Sequence, residues 1–434
     1  MTNAQGIAEA SKAPAPLRGV RALDLGSPYT SYATKLLADL GADVILVEPP
    51  GGIAGRRLPP FYRNEPGDEG SLPFWFFNTS KRGVTCNLQT SDGRELFQRL
   101  VDTAQIVVAP GAGVMEALCC PYERFRERKP SLVWASVSGF GDSGPHRGWL
   151  APDIVGVAMS GIMTLAGFPD RPPYMPAGNQ GFLAASIHAA QGVLLALRVA
   201  ERGGPGQLVE VSMQEALSMA QETAMQTWDM QRTNRKRLGE QRMLPGFGTY
   251  ECADGYVYSM VGVPAAGAGW SVMLQWMERE GMAEDLAQAP WPELLSSVNR
   301  RTLAALMAEP EKLAEFQAKM AHVEEVLQRF FRAFPKRYLY EEGQKQRLLI
   351  GPVNSPKDLA ENTQLEARGW WQGVEHPELG RALRYPGPPF RLARSPWRIR
   401  HRAPRLGEHN IEVWHGEMGL GLQQLATLAG ASVL

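Results

Sequence analysis

Apolar and polar positions switch between two periods along the first third of the chain. Val20–Leu25 (VRALDL) is a short β-rich run that stops at Gly26, Ser27 and Pro28. Ser31–Leu40 carries apolar residues at helical spacing and closes at Gly41, after which Asp43–Glu48 (DVILVE) reads as a second strand. Gly93–Thr103 predicts an amphipathic helix, Gln105–Ala109 a strand and Leu132–Val137 another. This repetition with short turns predicts an α/β fold with a parallel, doubly wound, Rossmann-like sheet. Residues 183–202 are almost all apolar and rich in Ala and Leu, which predicts a buried helix. Gly203, Gly204 and Gly206 end it, and Leu208–Ser212 begins as a strand.

Beyond about Ala216 the pattern changes. Residues 221–245 are polar, rich in Met, Gln and Arg, and read as a crossing segment. Strands near Thr249–Tyr250 and Tyr256–Met260, turned at Asp254-Gly255, open a smaller α+β domain that continues with helices near 302–333. From about Val353 the chain is Pro/Gly-rich and basic. The 434 residues exceed what one compact core holds, so two domains are expected. Their bounds read as a loose arm over 1–16, a large domain over 17–220, a linker over 221–245, a small domain over 246–352, and a return to the large domain over 353–434.

Charge adds an exclusion. Lys plus Arg number 45, as do Asp plus Glu, so no global field draws nucleic acid or an anionic membrane. The start (MTNAQGIAEASKAPAP) lacks the pattern of a signal peptide, and the longest apolar stretch is broken at His188, Gln191 and Arg198; no membrane crossing is expected. Cys86, Cys119, Cys120 and Cys252 suit neither a disulfide framework nor a zinc cage, which points to a reducing cytoplasm.

Familiar catalytic spellings are missing: no G-x-S-x-G, no G-x-x-x-x-G-K-[ST] and no H-E-x-x-H occurs. Gly26-Ser27-Pro28 stands where a dinucleotide fingerprint would begin. The seven histidines have no metal-ligand spacing and read as structural.

Several segments, taken together, resemble the class III CoA-transferases, the CaiB/BaiF family. They are LRGVRALDL (17–25), LLADLGADVILVEPPGG (36–52), Asn78-Thr79-Ser80-Lys81-Arg82, SGFGDSGP (138–145), GGPGQLVEVSMQEA (203–216), Arg368-Gly369 and APRLGEHN (403–410). The matches keep the family's order over roughly residues 17–425. The resemblance implies an interlaced dimer of ring-shaped protomers, with 221–245 suited to the threading link and CoA lying between the domains. It implies no permanently bound cofactor, with coenzyme A and acyl-CoA as substrates. Asn78, Lys81 and Arg82 then belong to CoA binding, since the cations of the Asn-x-x-Lys-Arg box suit phosphate oxygens; the alternative is a pair of solvated surface cations. For the cluster Arg391, Arg394, Arg398, Arg400, Arg402 and Arg405, subunit packing or a CoA-phosphate role fits better than a polyanion.

The family's reaction depends on one aspartate. Its carboxylate attacks the donor acyl-CoA to give an anhydride and then an aspartyl-CoA thioester, which the acceptor acid resolves. Counting back fourteen residues from Ala196-Leu197, which precede Gly204-Pro205-Gly206-Gln207, lands on Phe182. The window PYMPAGNQGFLAAS (173–186) holds no acid; the nearest before it are Asp170 and Asp153. Loss of such a nucleophile costs on the order of 10⁴–10⁶ in turnover. No catalytic residue is therefore identified, and three readings stay open. The chain is the non-nucleophilic subunit of a heteromer with an Asp-bearing paralogue (a heterodimer or heterotetramer), of the kind known for succinyl-CoA:benzylsuccinate CoA-transferase. It is instead an acyl-CoA racemase or isomerase, although Pro152 stands where that chemistry wants a His. Or it is a non-catalytic CoA-binding protein, or a homodimeric transferase using another acid. Tyr29, Tyr32, Asp153, Tyr174, Met175 and Phe182 are expected near the substrate pocket, with a lean toward an apolar or aromatic acyl group.

Overall fold

The alternation read in the strands sorts their residues onto the two faces of one sheet. The computed structural model describes residues 14–237, 239, 244–261, 269–298 and 309–434; nearly all of the expected arm, and the start of the helical stretch expected from 302, lie outside the described residues. Six strands, β1 (Arg21–Asp24), β2 (Asp43–Glu48), β3 (Arg82–Thr85), β4 (Ile106–Pro110), β5 (Val133–Ser138) and β6 (Leu208–Ser212), pair in the order β3-β2-β1-β4-β5-β6. Every neighbouring pair is parallel.

Ala22, Val44, Ile106 and Val133 face one core, against Ala33 and Leu37 of helix α1 (Ser31–Asp39). Their sequence neighbours Leu23, Ile45, Val107 and Trp134 face the other, against Phe97 and Leu100 of the Ser91–Thr103 helix and Val413 and Trp414 of the tail. Successive side chains of a strand point to opposite faces, so a sheet covered on both sides reads as the near-continuous apolar runs seen here.

The Gln180–Glu201 helix closes the first core through a small-residue face of Gly181, Ala185, Ala189 and Ala196. At Gly192 an added Cβ would come within 2.6 Å of Val209 Cγ1, so glycine sets how closely the helix meets β6. Its other side is exposed in the single chain, with Ile187 at 40%, Leu195 at 71% and Val199 at 44%. The expectation of a wholly buried helix is therefore corrected: only one face is buried. By length and composition alone this helix could cross a membrane; here its small-residue face is packed on the sheet.

The chain divides into two units. One comprises the residues up to Leu165, Tyr174–Arg235 and Gln364–Leu434; the second comprises Ala166–Pro173 and Lys236–Thr363. The second is built on an antiparallel sheet of β7 (Phe247–Cys252), β8 (Gly255–Met260) and β9 (Ile350–Pro352). Tyr250, Trp276, Phe330 and Phe331 centre its core. Within the segment read as a crossing link lies a short helix, Ala224–Gln231, with Trp228 and Met230 exposed.

The basic tail is largely tied down within the first unit. Arg400 Nη2 donates to the carbonyls of Ala38 and Ala42 at 3.0 and 2.7 Å. Arg402 forks onto Glu408 at 2.8 and 2.9 Å and also reaches Glu378 at 3.0 Å. Burial raises the Glu408 carboxyl, but Arg402 and the Arg405 N–H outweigh it and hold its pKa down to about 2. A depressed carboxylate contributes stability above its ordinary range and loses it as pH falls through the folded value. Glu408→Gln is expected to cost up to about 1 kcal/mol at neutral pH. That deficit should persist down to the usual glutamate range near 4.5 and close as pH falls toward 2, as read by unfolding at stepped pH.

Candidate functional site

Where β1 ends, the chain must turn sharply and still feed α1. Gly26 makes the turn with φ +60°, and a Cβ there would meet Ile53 Cγ2 at 2.9 Å, so glycine is required on both counts. The turn is held from beneath by Asp24, which is fully buried. Its Oδ1 accepts the Gly26 N–H and the Thr30 hydroxyl, both at 2.9 Å. Its Oδ2 accepts the Thr34 hydroxyl at 2.7 Å and Lys81 Nζ at 2.9 Å.

Lys81 is likewise fully buried, and its remaining protons go to Asn78 Oδ1 at 2.8 Å and the Ser31 carbonyl at 3.0 Å. Burial pulls its ammonium below the ordinary lysine range, and Asp24 opposes that pull. A second buried pair runs alongside: Lys35 reaches Asp39 at 2.6 Å, while Thr79 and Ser80 donate to the same carboxylate. The Asn-x-x-Lys-Arg box is thus folded inward. Arg82 is met by Asp43 on one side and by Glu412 and Glu417 on the other, which keep it charged. Lys81 is clamped by the buried Asp24, while Arg82 is only partly buried and its carboxylate partners are partly exposed.

Two cavities open beside this loop. The first, about 440 Å³, is lined by Ser27, Ser31, Tyr32, Ile53, Leu58, Phe74, Phe77, Asn78, Asn179, Phe182 and Leu183, among others. Among the described residues no Asp, Glu, Lys, Arg or His lines it. The second, about 620 Å³, lies at the carboxyl ends of β1 to β4, between Leu25, Val47, Pro49, Asn87, Pro110 and Met115. The strand order reverses at β1, and ligands of open α/β sheets bind at such a switch point. Gly26 and Ser27 line both cavities.

Phe182 is the third residue of its helix. Its N–H donates to Asp153 Oδ1 at 2.9 Å and its ring meets Tyr29 edge-on at 4.9 Å. Asp153 is buried, and its Oδ2 has no hydrogen-bond partner among the described residues. The Tyr29 hydroxyl donates to the Ala151 carbonyl at 2.5 Å; burial first, then Asp153, pushes that phenol up. Of the residues expected around a substrate, Phe182, Tyr32 and Asn78 line the first cavity. Tyr29 and Asp153 touch Phe182 without lining it, and Tyr174 and Met175 lie exposed and off its walls. Sequence reasoning missed the wall of Ile53, Leu58, Phe74 and Phe77, whose apolar spacing carries no regular period.

Removing the Lys81 charge leaves a buried carboxylate alone, which costs about 3–5 kcal/mol, while replacing both partners by apolar groups is far milder. Lys81→Met is therefore expected to lower stability by that amount, and Asp24→Leu combined with Lys81→Met to recover most of it, in denaturant unfolding. An unchanged midpoint with weakened CoA binding would return Lys81 to the phosphate role.

The model of CoA-transferase family III matches residues 17–410. The succinyl-CoA:(R)-benzylsuccinate CoA-transferase subunit BbsE of Thauera aromatica is 34% identical, over 91% of this chain and 92% of its own. The formyl-CoA:oxalate CoA-transferase of Streptomyces avermitilis is 31% identical, over 96% and 99% respectively. Among solved structures, a CaiB/BaiF family protein from Brucella suis superposes with a TM-score of 0.77 at 24% identity, over 93% of this chain and all of that one, which carries the fold. With a Rossmann-ordered sheet, paired cavities at its switch point and a match along nearly the whole chain, this protein belongs to CoA-transferase family III.

Proposed function

We propose that this chain is the subunit of a heteromeric CoA-transferase that carries no nucleophile, working beside a paralogue that keeps the aspartate. The observation behind this reading is Phe182, at the start of its helix, on a cavity whose lining among the described residues contains no carboxylate. A thioester bound there meets no group able to form an anhydride. The relative BbsE, itself described as a subunit, supports the same reading. Pro152 in place of a basic histidine speaks against a racemase, which needs a paired acid and base.

CoA is placed across Gly26 and Ser27, the residues common to both cavities, with its nucleotide end at the switch point and its acyl group toward Phe182. Donor and acceptor are carboxylic acids; succinyl-CoA, the donor to try first, would react at the paralogue's aspartate rather than in this cavity. Assembly would be an interlaced dimer, with 221–245 as the link between domains. The setting would be the cytoplasm, in keeping with four cysteines that are all free thiols.

The test is succinyl-CoA-dependent transfer to a panel of aromatic and aliphatic acids. The lone chain is expected to be inactive, and the chain co-expressed with its Asp-bearing paralogue active, with both in one chromatographic peak. Phe182→Asp is expected to raise the lone chain's turnover by at least a hundredfold, part of the 10⁴–10⁶ attached to such a group. Full activity of the unmodified lone chain, abolished by Asp153→Asn, would overturn the subunit reading and make Asp153 the acyl carrier.

A further inference from the structure

Among the described residues no charged side chain lines the first cavity, and three cations behind its walls are paired with buried carboxylates. Arg56 stacks on the Phe74 ring at 4.1 Å and is fully buried against Glu48 at 2.6 Å. Lys81, behind Asn78, is held by Asp24 at 2.9 Å. Lys35 lies over the Phe76 ring and is held by Asp39 at 2.6 Å. None of the three lines the cavity. A ligand carboxylate pushed into this space would shed its hydration and find no counter-charge.

What the cavity does offer is aromatic and aliphatic surface from Ile53, Leu58, Phe74, Phe77, Phe182 and Leu183. The Phe182 ring is fixed by its edge contact with Tyr29, and Tyr29 by its bond to Ala151. A dry apolar cavity of about 150 Å³ accepts a benzene ring; about 440 Å³ leaves room for a ring and a short chain. The neutral polar groups are few. Ser27 accepts the Tyr29 N–H, and its own proton enters no hydrogen bond among the described residues. Asn179 is exposed at the helix start and lines the same space. Both suit a thioester carbonyl better than a carboxylate.

We propose that this cavity is a binding site for an aromatic acyl group of about phenylpropanoyl size, and that it disfavours short dicarboxylic acyl groups. Phe182, where the family keeps its nucleophile, serves here as a wall that determines specificity. The proposal rests on the CoA reading above for the thioester itself, but the apolar selectivity belongs to the cavity alone.

Calorimetric titration of the full chain with CoA, succinyl-CoA and 3-phenylpropanoyl-CoA tests it, with free 3-phenylpropanoate and succinate as a separate arm. The aromatic thioester is expected to bind at least tenfold more tightly than CoA or succinyl-CoA, and the free aromatic acid more tightly than succinate. Ala54→Trp fills the cavity from an exposed position and should erase that gain while leaving CoA affinity in place. Leu58→Arg, at a residue 44% exposed, should supply the missing counter-charge and reverse the preference toward succinyl-CoA. Equal affinity for the three thioesters, or tightest binding of succinyl-CoA, would overturn the proposal while the CoA reading stands. Failure of CoA itself to bind would remove the CoA reading; the free-acid arm would then decide the cavity's selectivity, with equal binding of the two acids overturning it.

Discussion

The buried ion pair between Asp24 and Lys81 is the constraint on which the site depends. Neither group could remain charged in an apolar interior alone, and together they fix two separate pieces of chain. Asp24 gathers the turn after β1 through Gly26, Thr30 and Thr34, while Lys81 gathers Asn78 and the Ser31 carbonyl. Gly26, Ser31 and Asn78 all line one cavity, so a salt bridge that does not line it ties parts of its wall together. Such pairs stabilise little against a well-packed apolar alternative, but they are intolerant of losing one partner, which gives the site a defined shape.

The same economy of charge explains the site's character. Three cations lie close behind its walls, and each is neutralised by its own carboxylate. The helix start that carries Phe182 is held by Asp153; on the reading proposed above, the backbone geometry is in place while an aromatic ring stands where the reactive side chain is expected. A family scaffold and its reactive group are separable in this way, because packing and backbone hydrogen bonds build the first and a single side chain supplies the second.

Much of the sheet was legible from sequence because strands buried on both faces read as dense Val, Ile, Leu and Ala runs between Gly and Pro. The short strand Arg82–Thr85 was not, since its Arg-Gly-Val-Thr spelling is polar and it sits inside a box read for chemistry. The hairpin of Gln372–His376 and Arg381–Tyr385 was missed because Glu375, Arg381 and Arg384 interrupt any apolar run. At the site, Phe182 and Asn78, named from spacing and resemblance, both line the first cavity. The pairing of Lys81 and Arg82 was not legible, because their partners Asp24, Asp43, Glu412 and Glu417 are brought to them only by the fold. The exposed side of the Gln180–Glu201 helix escaped notice because an all-apolar helix carries no asymmetry to say which face is covered.

The closure of the sheet by the chain's far end bears on the order in which the protein matures on the ribosome. The N–H groups of Gly83, Thr85 and Asn87 bond to His409, Asn410 and Val433, and Trp414 completes the core beneath the first strands. Strands complete by Thr85 must therefore wait, with an uncovered apolar face, until residues 409–433 have been made. At elongation rates of about 5–20 residues per second that interval is tens of seconds. Over it, the intervening unit can finish folding while the sheet cannot, leaving the earliest-made part of the molecule as the one most dependent on chaperone protection.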